Sequence, residues 1–88
     1  MQKLNKRYII LLKGSEKTMA KFKILESGGT KLYIAQKGYS LKDFSTELGI
    51  SPAYLSLVLN GKKSPSPGLA KRISEKIDRN ILDVFYLE

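Results

Sequence analysis

Residues 41–60 read LKDFSTELGISPAYLSLVLN, and Gly61 follows. Two short helices and one tight turn account for this stretch. Ser40 offers a capping oxygen to the first helix, and Phe44, Ser45 and Leu48 recur with Leu41 at spacings of three and four, the period of one helix face. Asp43 falls in the first turn, where the helix dipole favours an acid. Leu48-Gly49-Ile50 is the turn. Ser51-Pro52 restarts the chain with a capping oxygen and a residue pre-set for the first helical turn. Leu55, Val58 and Leu59 point inward, and Asn60-Gly61 is a helix stop.

Two helices joined through a glycine form the helix-turn-helix unit, whose second helix can enter the major groove of DNA. Composition is compatible. The chain has 88 residues, room for one domain and a modest core. It contains no cysteine and no histidine, which excludes disulfides, thiolate metal sites and histidine chemistry. The acidic residues Asp43, Glu47, Glu75, Asp78 and Asp83 are scattered, with no phosphate loop to assemble around. No enzyme, cofactor or metal site is expected. The formal net charge is +8, which favours a polyanionic partner, nucleic acid or an anionic membrane.

Working outward to the N-terminus, residues 1–18 carry half of that charge. Their apolar run, Tyr8 to Leu12, is too short for a signal peptide or a bilayer span of ~20 residues. Two readings stand. Residues 1–18 are an over-called leader with translation starting at Met19, since Gly14-Ser15-Glu16 can be encoded by a ribosome-binding sequence. Otherwise they are a disordered basic arm. Residues 1–27 as a whole are assigned to an N-terminal extension and 28–88 to the DNA-binding domain. Residues 20–27 alternate at Lys21, Phe22, Lys23 and Ile24, the pattern of a short strand or a packed extended arm. Gly28-Gly29 reads as a hinge before a helix over Thr30–Lys37, with Tyr33 as its main core residue and Leu32, Ile34 or Ala35 beside it.

Toward the C-terminus, Gly61-Lys62-Lys63-Ser64-Pro65 is a loop. Ser66-Pro67 starts another helix, running to about Ile77 with Leu69, Ala70, Ile73 and Ile77 inward. Lys71, Arg72, Lys76 and Arg79 make its solvated face. Asn80 caps a final helical turn, Ile81 to Leu87.

The chain from Thr30 to Leu87 resembles the lambda-repressor-like family of helix-turn-helix domains, of the Cro/C1/Xre type. Several features stand in register: Lys37-Gly38-Tyr39-Ser40-Leu41, Glu47-Leu48-Gly49-Ile50-Ser51, Val58-Leu59-Asn60-Gly61-Lys62-Lys63, Pro65-Ser66 and Leu82-Asp83-Val84-Phe85. The resemblance implies an all-α fold, a compact five-helix bundle, here with a short extended N-terminal arm. It implies a small DNA-binding transcriptional regulator, repressor-like, of phage or mobile-element kind, in the cytoplasm of a bacterial host. Pro52, Ala53 and Tyr54, with Ser56 and Leu57 further along, fall where the family reads base edges. Ser40, Asn60, Lys62 and Lys63 fall where it holds phosphate, and Lys42 can reach the backbone from the preceding helix.

Two departures matter. Leu41 stands where the family often has glutamine. The stretch 52–59 has no arginine, lysine, glutamine or asparagine, so the bidentate pairs that best discriminate G or A are missing. A second function class therefore stays open: an interaction partner of another regulator, such as a corepressor, antirepressor or antitoxin-like protein, docking through Leu57. A homodimer is expected through Ile81, Val84, Phe85 and Leu87, or through the Phe22/Ile24 arm, to read half-sites ~34 Å apart.

Overall fold

The computed structural model describes residues 21–88, so the expectations for a leader, a Met19 start or a basic arm lie outside the described residues. The element order is β1 (Phe22–Ile24), α1 (Ser27–Gln36), α2 (Leu41–Leu48), α3 (Pro52–Leu59), α4 (Pro67–Lys76), α5 (Ile81–Val84) and β2 (Phe85–Leu87). Five helices form the bundle, and the two strands close it.

The helix starts follow from three serines. The Oγ atoms of Ser40, Ser51 and Ser66 accept from the N–H groups of Asp43, Tyr54 and Leu69 at 3.0, 3.0 and 3.1 Å. Each satisfies one of the orphan donors of a helix N-terminus. α1 is different. Its cap is Glu26, whose Oε1 accepts from Gly29 N at 2.7 Å, so Gly28-Gly29 is the first helical turn and not a hinge. A Cβ on Gly29 would stand 2.4 Å from that oxygen and push the carboxylate off the cap.

The stops are also alike. α2 ends with Gly49 N donating to Thr46 O at 3.1 Å and Ile50 N to Ser45 O at 3.0 Å, the paired bonds of a Schellman motif. Gly49 is left-handed at φ 75, a conformation that costs a side-chain-bearing residue about 1–2 kcal/mol. α4 ends with the same pair of bonds, from Asp78 N to Glu75 O and from Arg79 N to Ser74 O, but its left-handed residue is Asp78, at φ 58. The Lys37 ammonium pairs with the Asp78 carboxylate. That partner holds the carboxyl below its ordinary pKa, by hydrogen bond first and by charge second.

The core is assembled from Ile34 of α1, Phe44 and Leu48 of α2, Leu55, Val58 and Leu59 of α3, and Ala70, Ile73 and Ile77 around α4. Each of the larger of these side chains contributes roughly 1.5–3 kcal/mol by leaving water, and Ala70 less. In α1 the buried positions are Thr30 and Ile34. Tyr33 only packs against the core edge, Leu32 is exposed and so is Ala35, which corrects the expected assignment. Arg79 lies over the Tyr33 ring at 4.1 Å and covers it from outside.

The C-terminal segment departs from expectation. The helix ends at Val84, and Phe85–Leu87 runs as a strand antiparallel to β1, in the register Phe22↔Leu87, Lys23↔Tyr86, Ile24↔Phe85. Phe22 meets Phe85 edge-on with ring centroids 6.2 Å apart. Phe22, Val84, Phe85 and Leu87 are therefore buried inside one copy of the chain. The expected dimer surface is corrected: the arm and the tail, Phe22/Ile24 and Ile81, Val84, Phe85, Leu87, face each other and the core, and only Ile24 and Ile81 keep partial exposure.

Candidate nucleic-acid interface

The turn sequence fixes α2 against α3. Gly49 stops one helix, Ser51 and Pro52 begin the next, and Phe44, Leu48, Leu55 and Leu59 bury their facing sides. Ser45 is fully buried as well, its Oγ donating to Lys42 O at 2.7 Å, so a small residue fits between the helices. α4 ties this unit from behind. The Arg72 guanidinium donates to Leu48 O at the end of α2, and Lys76 Nζ meets Glu47 Oε1 at 3.2 Å. Of the cations expected on a solvated face, Lys71, Arg72 and Arg79 are exposed and Lys76 is half-buried, while Arg72 and Lys76 also tie back to α2.

With Leu55, Val58 and Leu59 turned inward, the outer face of α3 presents what remains. Pro52 and Ala53 are exposed. Tyr54 is half-buried against the core edge and Ser56 is half-buried. Leu57 is 39% exposed. All five candidate base-contacting residues therefore lie on one helix with at least part of their surface in water.

The candidate phosphate contacts sit at two ends. Ser40 and Lys42 are exposed at the start of α2, and Asn60, Lys62 and Lys63 are exposed just after α3. No carboxylate pairs with Lys42, Lys62 or Lys63 among the described residues. The helix N-termini of α2 and α3 add partial positive charge.

Asn60 is the centre of a network that was not visible in the sequence. Its Oδ1 accepts from Lys31 Nζ at 3.1 Å and from Ser27 Oγ at 3.4 Å, and its Nδ2 donates to Ser56 Oγ at 3.3 Å. One amide proton remains for a ligand oxygen. Lys23 Nζ donates to Gly61 O at 3.2 Å, one residue further on. The C-terminal end of α3 has no basic residue in its own last turn, yet Lys31 from α1 and Lys23 from β1 supply cations there. Lys23, Ser27 and Lys31 lie 29 to 38 positions away from their partners, and only tertiary packing reveals them. The alternation Lys21-Phe22-Lys23-Ile24 was the one local signal that two lysines share a face.

The arrangement offers donors and a cation at the start of α2, donors and cations just after α3, and an exposed outer face on α3. Among the described residues no helix is long and apolar enough to cross a membrane, and no group of acidic side chains is placed to hold a metal. Comparison with known proteins agrees with this geometry. The Helix-turn-helix family model, of the Cro/C1 type, matches residues 31–84. An uncharacterized HTH-type transcriptional regulator of Bacillus subtilis (strain 168), YvzC, is 34% identical over 56 residues, 64% of this chain and 73% of the relative. No solved structure matches significantly. The match spans α1 to α5, includes both helices of the turn unit and meets the fold they build: the chain belongs to the Cro/C1-type helix-turn-helix family of DNA-binding transcriptional regulators.

Proposed function

We propose that this chain is a sequence-selective regulator that lays α3 in the major groove of double-stranded DNA. Pro52, Ala53, Tyr54, Ser56 and Leu57 face base edges. Ser40 and Lys42 hold one backbone, and Asn60, Lys62 and Lys63, with Lys31, hold the other. The observation that carries this reading is the Asn60 network, which fixes a polar hub and a lysine beside the two loop lysines at one end of the exposed helix face. Tyr54 and the small residues around it give thymine-methyl contacts and single hydrogen bonds, a weaker code than bidentate pairs. Two copies read a pseudo-palindrome with half-sites ~34 Å apart. They meet through a surface other than the buried β1–β2 tail. We read the chain further as a repressor of phage or mobile-element kind, acting in a bacterial cytoplasm.

The test is recovery of genomic DNA crosslinked to the tagged protein, followed by affinity measurement on the recovered sequence and on its scrambled version. A clear preference for the recovered sequence at physiological salt is expected; equal affinity removes the claim of selectivity.

A second reading rests on Leu57, 39% exposed on a face with no charged residue. An exposed leucine there also suits a protein partner, another regulator held by this scaffold. In that case Leu57→Glu abolishes function while Lys62→Ala with Lys63→Ala leaves it intact. The DNA reading expects damage from both.

A further inference from the structure

Beside the C-terminal end of α3 lies a cleft of ≈ 630 Å³, between β1 and the α3–α4 loop. Lys23 lines it from β1, Lys21 from just before that strand, and Lys62 and Lys63 from the loop, with Glu88 as the acidic residue in its wall. Lys21 and Lys23 share a face because strand side chains alternate, and Phe22 between them enters the core. Both are held in place. The Lys21 carbonyl accepts from Glu88 N at 2.8 Å, and Lys23 Nζ donates to Gly61 O at 3.2 Å. α4 opens at the rim, behind Ser66, and the positive end of its dipole adds to the same potential. None of the ion pairs among the described residues involves the cleft. Four lysines line the cleft with Glu88 as its acidic residue, and a polyanion suits the excess of positive charge.

We propose that this cleft is a second phosphodiester-binding station, taking DNA backbone that flanks the groove occupied by α3. It rests on the DNA-binding function proposed above. The occupant follows from continuity. Lys62 and Lys63 belong both to the cleft and to the clamp after α3, so backbone held by the clamp continues onto Lys21 and Lys23. Lys21, Lys23 and Glu88 fall outside residues 31–84, so this half of the cleft is a feature of the chain and not of the segment that matches the family. A small phosphate has the same chemistry, and inorganic pyrophosphate serves as the probe for it.

The experiment measures DNA affinity of the full chain against salt, for the wild type and for Lys21→Ala with Lys23→Ala. The duplex is a single half-site in both arms, either with flanking sequence or cut back flush. On flanked DNA the double variant is expected to lower the log–log salt slope by about 2, making its affinity loss about tenfold larger at about 50 mM than at about 200 mM salt. Lys21→Arg with Lys23→Arg keeps the wild-type slope, as does Lys71→Ala, and the flush duplex erases the difference. Melting temperature checks the fold. Lys21→Ala alone, whose ammonium is not tied to Gly61, lowers the slope by about 1 and stands in if the double variant unfolds. DNA bound with an unchanged slope overturns the station while the DNA-binding reading survives. Pyrophosphate that binds the wild type and not the double variant, yet leaves bound DNA in place at constant ionic strength, assigns the cleft to small phosphates and overturns it too. Absence of any DNA binding by the wild type overturns the proposed function and this inference together.

Discussion

The two ends of α3 are built differently. At its N-terminal end, Ser51 caps the helix, and Pro52, Ala53 and Tyr54 offer small or aromatic surface with no formal charge. At its C-terminal end, Asn60 is bonded by Ser27, Lys31 and Ser56, and Lys23 holds the carbonyl of Gly61. One end depends on local sequence alone; the other gathers groups from β1, α1 and the loop after α3. In a DNA-binding domain this difference separates two tasks. Charge and fixed donors give sequence-independent affinity, and groove-facing side chains give selectivity.

The largest expected effect comes from stripping the C-terminal end. Lys31→Ala, Lys62→Ala and Lys63→Ala combined should, for each bound copy, weaken binding on the order of 100- to 1000-fold at ~0.1 M salt and flatten the salt slope by about 3, equally on all sequences. Fluorescence anisotropy across a salt series checks this. Adding a reader to the other end comes next. Ala53→Gln supplies a side chain able to bridge adenine, and where the face meets one it should add about 1–3 kcal/mol of discrimination without changing the slope. Competition between recovered and adenine-substituted duplexes measures it.

Smaller effects bear on how each end is held. Ser51→Ala removes the cap at the N-terminal end and should cost about 1 kcal/mol of stability, read in urea unfolding. Asp78→Asn lies at neither end, and it removes the charge paired with Lys37 while keeping a residue that tolerates the left-handed backbone. Asp78 is depressed in the fold, so its contribution is present above its unfolded pKa and fades as pH falls through the folded one. The variant should lose that acid-side dependence, small because the pair is exposed, and bind DNA unchanged.

The same contrast separates what the sequence makes legible from what it hides. Glycine stops at 38, 49 and 61 and serine caps at 40, 51 and 66 are local chemistry, and they mark α2, α3 and α4 with little error. The stop of α4 lacks a glycine; its end near Ile77 was legible, while the left-handed Asp78 and its surface pairing with Lys37 were not. Phe85–Leu87 has the composition of either a helical turn or a strand; pairing with Phe22–Ile24 decides the matter and turns an expected dimer surface into core. That Pro52, Ala53, Tyr54, Ser56 and Leu57 keep surface in water was legible from helix period, and their assignment to base edges comes from the family resemblance. Ser27 and Lys31 were not legible, because their relation to Asn60 exists only once α1 packs beside α3.

The division of labour along α3 is tested most directly by one titration set. Affinities for the recovered sequence and its scrambled version are measured across salt for the wild type, for Tyr54→Ala and for Lys62→Ala with Lys63→Ala. Tyr54→Ala should shrink the ratio between the two duplexes and leave the slope intact. The lysine pair should lower the slope by about 2 and leave the ratio intact. A lysine pair that collapses the ratio, or a Tyr54→Ala variant that changes the slope while preserving the ratio, contradicts the account.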